Sequence, residues 1–137
     1  MNELPEIDLA LSPEDEPFFA ALSRGSLAVP WCVHCDDHVW PARSHCVQCY
    51  RPVGELRTLP GTGEVYSFSV VHRGEGPFAR AVPYVFALVA LDGGPTIMAN
   101  VVVDEPDDVA VGRRVRLVDR TPSTGGTSVV GAQFRLV

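Results

Sequence analysis

The chain has 137 residues, 46% of them hydrophobic, and carries 17 acidic against 11 basic side chains for a formal net charge of −6. That length holds one ordinary domain or a small one with an appendage, and the apolar content belongs to a packed protein, not to a disordered tail. Every basic residue is arginine, and the acidic balance lacks the clustered positive surplus that tracks phosphates, so a nucleic-acid partner is not expected.

Residues 1–11 form an acidic lead-in. The opening, Met1-Asn2-Glu3-Leu4-Pro5-Glu6, lacks the basic start of a secretory signal. No apolar run approaches the roughly 20 residues that span a bilayer, so a cytoplasmic location without a membrane partner is expected. Ser12-Pro13-Glu14-Asp15 then reads as a helix start, with Ser12 as N-cap, Pro13 at the first helical position and acids near the positive end of the helix dipole. Phe18, Phe19 and Leu22 make an apolar stripe and Gly25 a stop, which predicts a helix over about 13–24. So short a helix must dock its phenylalanines, either on this chain's own domain or on a partner. Residues 1–25 are therefore lead-in and helix.

Residues 26–58 hold the strongest signal in the chain. Cys32-Val33-His34-Cys35 and Cys46-Val47-Gln48-Cys49 are two knuckles separated only by residues 36–45. Two residues between paired cysteines let both thiolates face one tetrahedral ion, and two such knuckles close a structural site. The expectation is a rubredoxin-like zinc ribbon in which Cys32, Cys35, Cys46 and Cys49 bind one structural zinc ion. In a reducing compartment such pairs read as metal ligands rather than disulfides, and a second pair at ribbon spacing argues against a redox-active dithiol. All four cysteines are used, so none remains as a nucleophile. His34, His38 and His45 lie nearby but are not needed as ligands. Trp31 and Trp40 flank the first knuckle. The module has almost no apolar core of its own, so metal binding, roughly 10–16 kcal/mol apparent in zinc-finger peptides, would supply its folding energy.

Residues 59–137 change to strand patterning. Glu64 to Arg73 alternates with a period of two; Pro83 to Leu91 is apolar on both faces, as in a strand buried within a barrel. Thr96 to Val103, Arg113 to Val118 and Thr127 to Val137 supply three more strands. Turn signals separate them at Gly74–Pro77, Asp92–Pro95, Glu105–Asp108 and Pro122–Gly126, with Thr121–Thr127 expected as a flexible loop. The fold class is mainly β: an N-terminal helix and zinc ribbon followed by a five-stranded OB-fold barrel.

No catalytic constellation emerges: no GxSxG elbow, no P-loop and no GxGxxG after a strand. Asp36-Asp37 and Asp107-Asp108 fall in turns, where aspartate bonds its own backbone. His72 ends the first barrel strand where a ligand-facing loop begins. Arg73 and Arg80 bracket a loop with Phe78 at its tip, a set that could hold a nucleotide phosphate and ring or simply be solvated.

Taken in order, the Phe18-Phe19 helix, Gly25-Ser26-Leu27 leading into the first knuckle, Trp40-Pro41-Ala42-Arg43, the second knuckle, Gly61 through Arg73, Pro83-Tyr84-Val85, Ala87 through Gly93, Gly112-Arg113-Arg114-Val115 and Phe134-Arg135 closely resemble one family. It is the zinc-ribbon/OB-fold acyl-CoA-associated proteins, catalogued as a domain of unknown function, and the resemblance covers about residues 14–137. Two departures stand out: Asp36 replaces the glycine usual after the first knuckle, and the second knuckle runs into Tyr50-Arg51. Family members work beside thiolase-fold enzymes or hydratases acting on acyl-CoA. They occur in archaeal acetoacetyl-CoA/HMG-CoA assemblies, in steroid side-chain degradation as partners of a thiolase-like aldolase, and in acyltransferase complexes. The resemblance implies a zinc-binding accessory subunit, not catalytic alone, of a thiolase-fold retro-aldolase (a carbon–carbon lyase), with acyl-CoA at or near the shared interface. His72, Arg73, Phe78 and Arg80 would lie near the CoA or the partner's site, and Phe18, Phe19, Trp31 and Trp40 would form the docking surface. The alternatives are an accessory subunit of an acyl-CoA acyltransferase or thiolase, a single-stranded nucleic-acid binder, disfavoured by charge and by few expected exposed aromatics on the first strands, and an iron rubredoxin-like carrier with the same ligands.

Overall fold

The structure is a computed structural model that describes residues 5, 7–8, 10–118, 128–129 and 131–137. A two-residue strand β1 (Ile7–Asp8) precedes helix α1 (Glu16–Ser23). The ribbon follows with β2 (Leu27–Cys32), β3 (Asp37–His38) and β4 (Glu55–Leu59). Then come β5 (Thr62–Val71), β6 (Tyr84–Leu91), β7 (Thr96–Val102), β8 (Arg114–Leu117), β9 (Ser128–Val129) and β10 (Gln133–Leu136). The Thr121–Thr127 loop expected from the sequence lies outside the described residues.

α1 is shorter than the sequence pattern predicts. Ser12–Asp15 forms a separate turn, in which the Asp15 and Glu16 N–H groups both donate to the Ser12 carbonyl (3.0 and 3.1 Å) and the Ser12 hydroxyl donates to the Asp15 carboxylate (2.9 Å). The proline that opens the helix is Pro17, whose missing N–H costs nothing in the first turn. At the other end Gly25, at φ +74°, lets the N–H groups of Gly25 and Ser26 reach back to the carbonyls of Leu22 and Ala21 (2.9 Å each).

β5, β6, β7, β8 and β10 close into a barrel of order β10-β7-β6-β5-β8, with β10 parallel to β7 and the other pairs antiparallel. Numbered from β5 within the barrel, that is the 1-2-3-5-4-1 circuit of an OB-fold. Val65, Val85, Val89, Ile97, Val101, Val115 and Phe134 fill its interior and are essentially inaccessible. β6 corrects one expectation. Only its alternate residues Val85, Ala87, Val89 and Leu91 face inward, while Phe86 on the outer face is 41% exposed. Its doubly apolar sequence reflects a greasy outer surface, not two buried faces.

The ribbon is also less independent than its composition suggests. All six residues of β2 are buried, and Leu27, Val29 and Trp31 join Phe18, Leu22 and Leu59 in the same apolar cluster as the barrel residues. Gly94 marks the seam: a Cβ there would collide with the Leu59 side chain. A second, much smaller cluster surrounds the cysteines and contains buried Cys32, Val39 and Cys46.

One ionic clasp holds the barrel's turns. Both guanidinium nitrogens of Arg114 on β8 bond the Asp92 carboxylate in the β6–β7 turn, and the Thr62 hydroxyl of β5 donates to the same carboxylate. Those contacts, Arg114 first and Thr62 second, hold the Asp92 carboxyl down to about 2. A carboxyl whose folded value lies below its unfolded value of about 3.9 stabilises the fold above that pH and loses the contribution as pH falls toward 2. The clasp is over a third exposed, so the contribution is modest. Asp92→Asn is expected to flatten the acid limb of an unfolding-versus-pH curve between about pH 4 and 2. An unchanged limb would show that the clasp carries none of the acid sensitivity.

Candidate metal centre

Two short backbone devices bring the four cysteines together. In each knuckle a backbone N–H points at the first sulfur: Cys35 N–H to Cys32 Sγ and Gln48 N–H to Cys46 Sγ, both 3.4 Å. The residue after each knuckle then turns through the left-handed region, Asp36 at φ +51° and Tyr50 at φ +62°. This reverses the chain, and the Tyr50 N–H bonds back to the Cys46 carbonyl (2.9 Å). β2 delivers Cys32, while residues 36–45 fold back as a hairpin and deliver Cys46.

The four Sγ atoms lie within 4.8 Å of one another. Two cross-knuckle pairs approach more closely, Cys32 to Cys49 at 3.6 Å and Cys35 to Cys46 at 4.0 Å. A tetrahedral ion with metal–sulfur bonds of about 2.3 Å has sulfur–sulfur edges of about 3.8 Å, so the cage fits such an ion. Its electrostatics point the same way. The Arg51 backbone N–H pulls the Cys49 thiol down to about 6, while desolvation and then the neighbouring sulfurs push Cys35 up to about 12. Four thiolates so close repel one another, and a divalent cation removes that conflict. The cluster can therefore hold a metal ion. Its first cysteines are buried and its second ones half-buried, with no reactive sulfur isolated for other chemistry.

Two of the three nearby histidines have other partners. His38 Nδ1 faces the Asp37 carboxylate at 3.2 Å and His45 Nδ1 the Ser44 hydroxyl at 3.1 Å. Asp36, in the left-handed turn after the first knuckle, engages its side chain as well. Its carboxylate accepts from the Trp31 indole N–H (3.2 Å) and from Arg57 (3.5 Å), whose guanidinium stacks 3.8 Å above the Trp31 ring. Asp36→Ala and Asp36→Gly lose the same contacts, but alanine also pays the left-handed conformation. Alanine should therefore be the less stable of the two by about 1 kcal/mol in urea unfolding, and equal stability would place no strain at residue 36.

The other sequence candidates scatter. Phe18 (6% exposed) and Trp31 (7%), expected on the docking surface, sit in the chain's own core. Phe18 packs against Trp40 with ring centroids 4.9 Å apart and against the edge of Phe19 at 5.4 Å; Phe19 and Trp40 keep partial exposure. His72, Arg73 and Arg80 are exposed, and among the described residues neither guanidinium has a hydrogen-bond or ion-pair partner. Phe78 rests 6.4 Å from Tyr84, a neighbour the sequence did not single out. A cavity of about 150 Å³ opens beside the second knuckle between Trp40, Arg43 and Gln48. That is well below the roughly 300–1,000 Å³ of ordinary ligand pockets, so it does not by itself house a CoA.

The sequence reading also missed the exposure of several apolar side chains on the barrel: Tyr66 (66%), Phe68 (37%), Phe86 and Met98. The expectation of few exposed aromatics on the first strands is thus overturned. A register shift between Val65 and Ser67 breaks the expected period of two in β5, so Phe68 pairs with inward-facing Ala87 while Phe86 pairs with Ser69 on the outer face.

Residues 56–120 match the family model described as the C-terminal OB-fold domain of ChsH2. DUF35 domain-containing scaffold proteins of two archaea are similar: that of Methanocaldococcus jannaschii is 37% identical over 65% of this chain and 64% of the relative, and that of Methanothermobacter thermautotrophicus 33% identical over 71% and 74%. A probable enoyl-CoA hydratase alpha subunit of Thermomonospora curvata is 32% identical over 79% of this chain but only 34% of its own length. The matched segment thus spans from about a third to three quarters of these relatives. Among solved structures, a chain of the Ltp2–ChsH2(DUF35) aldolase superposes with a TM-score of 0.79 at 29% identity, covering 93% of this chain and 98% of that one.

Proposed function

Since this chain belongs to the family of DUF35 domain-containing scaffold proteins, we propose that it is a zinc-stabilised accessory subunit of a thiolase-fold acyl-CoA enzyme, a retro-aldolase acting in steroid side-chain or related acyl-CoA degradation. The observation that carries the reading is the near full-length likeness to a chain of the Ltp2–ChsH2(DUF35) aldolase. In this reading residues 1–25, 26–58 and 59–137 act as helix, metal-held ribbon and barrel, in the cytoplasm. Cys32, Cys35, Cys46 and Cys49 hold zinc, which supplies rigidity to the knuckles and no reactive position. Arg73 and Arg80, unpaired among the described residues, would take phosphate oxygens of a CoA lying against the partner, with Phe78 and His72 beside them. Phe19 and Trp40 are the partly exposed members of the helix–ribbon docking candidates.

The test is co-purification of the tagged chain from its native cells, followed by retro-aldol assay of the recovered pair and of each member alone. A stoichiometric thiolase-fold protein that cleaves a carbon–carbon bond only with this chain present is the expected result. Recovery of the chain alone, or a partner fully active without it, overturns the reading. The exposed Tyr66, Phe68 and Phe86 favour a second reading, since OB barrels stack single-stranded nucleic acid on such rings. The net charge of −6 opposes it. Retained binding of a fluorescent oligonucleotide at about 0.15 M salt would restore it.

A further inference from the structure

An exposed strand edge presents a row of unpaired N–H and C=O groups, and proteins blunt such edges with charges, prolines or very short strands. The ribbon sheet obeys. Its order is β3-β2-β4, so its edges are the two-residue Asp37–His38 and β4, which carries Glu55 and Arg57. The barrel departs from the rule along β5. On one side β6 accompanies β5 from Gly63 to Val71; on the other β8 pairs only with Thr62–Glu64. The last backbone bonds across that second seam join Val65 to Arg113 and Gly112, 2.9 Å each. Beyond them, among the described residues, Tyr66–Val71 has no strand beside it.

That stretch reads Tyr-Ser-Phe-Ser-Val-Val, with no charge, proline or glycine, and spans about 20 Å at 3.3 Å per residue. It is β-prone, uncharged and uncovered: Tyr66, Phe68 and Ser69 are all exposed. β7 also outruns its neighbour β10, but only over Thr96–Ala99 and directly behind Pro95. The undefended edge of β5 is thus the longer of the two and lacks such a block.

We propose that the free edge of β5, Tyr66–Val71, accepts an extended strand from the partner subunit, which continues the barrel sheet by backbone pairing. The inference rests on the accessory-subunit reading and specifies where the partner binds. Backbone groups set the occupant's chemistry, because only another extended polypeptide satisfies a row of alternating donors and acceptors. Tyr66 and Phe68 ask for apolar side chains at the facing positions of that strand. A second copy of this chain is the poorer occupant. Two copies of net charge −6 repel, and the similar aldolase assembly joins two different proteins.

The test is amide hydrogen exchange on the isolated chain and on its assembly with the thiolase-fold subunit, read on peptides covering 66–71, together with the affinity of Ser69→Lys. Assembly should slow exchange in that segment by at least about 100-fold. A lysine on the edge should weaken assembly about tenfold or more while metal content stays at wild type. If the assembly forms with unchanged exchange at 66–71, or Ser69→Lys assembles normally, this proposal falls and the accessory reading stands. If no assembly forms, both fall. Protection that appears in the isolated chain as its concentration rises would give the edge to a second copy and overturn the proposal.

Discussion

Replacing Cys46 with serine is expected to abolish stoichiometric metal binding and unfold the segment between the knuckles, while the barrel stays folded. The reason is the division of the interior into two clusters. The cysteine cluster buries only Cys32, Val39 and Cys46, with Cys35, Cys49 and Val53 packed at its margin. So little apolar surface cannot hold residues 32–53, and a structural metal worth roughly 10–16 kcal/mol apparent in comparable peptides would dominate their order. The large cluster contains no cysteine and should survive. Elemental analysis should therefore give one metal per wild-type chain and almost none in the variant. Limited proteolysis should cut within 36–53 and spare 62–118. A colourless wild-type sample with zinc in that analysis completes the identification, whereas a red one carries ferric iron. A Cys46→Ser chain that keeps full metal would refute the assignment of the cage.

Phe134→Ala is expected to be the most damaging single substitution in the barrel. Phe134 is fully buried, and its backbone sits at the closing seam, paired with Val101 of β7 on one side and Leu117 of β8 on the other. Truncating a buried phenylalanine costs about 3–5 kcal/mol through lost transfer energy and the cavity left behind. Domains of this size are stable by only about 5–15 kcal/mol, so the midpoint of thermal unfolding should drop on the order of 10–20 °C. Phe86→Ala is the matched control. Its ring lies on the outer face, 41% exposed, and its loss should cost less than about 1 kcal/mol. Similar losses for the two would mean that the inward and outward faces of the barrel have been misread.

Much of this was legible in the chain. The CxxC pairs named the four cysteines that the fold gathers into a cage able to hold a metal ion, because knuckle geometry is set within four residues. Four of the five barrel strands were placed to within a few residues because a period of two and the turns at Asp92–Pro95 and Glu105–Asp108 are local signals, whereas the expected strand from Thr127 to Val137 divides into β9, paired with β1, and β10, which alone joins the barrel. The helix start was misplaced by one turn. Ser12-Pro13 and Glu16-Pro17 are both plausible starts, and the choice went to the one where Ser12 could close a separate turn. The OB circuit followed from five strands in sequence, but its parallel β7–β10 seam is a long-range pairing that no window of residues displays.

The aromatic residues show the boundary most clearly. Phe18, Trp31, Tyr66 and Phe86 all read as apolar, and nothing local separates those that serve the core from those that serve a surface. α1 and β2 pack onto the barrel, which draws Phe18 and Trp31 inside; β8 stops at Glu64's partner, which leaves Tyr66 and the strand behind it uncovered. By itself the sequence determined the four-cysteine cage and the order of the barrel strands, because these depend on spacing along the chain and on residue chemistry. Only the tertiary structure decided which apolar side chains are interior and which strand edge stays open. Burial and pairing depend on what segments distant in sequence bring alongside, and that is a property of the assembled fold.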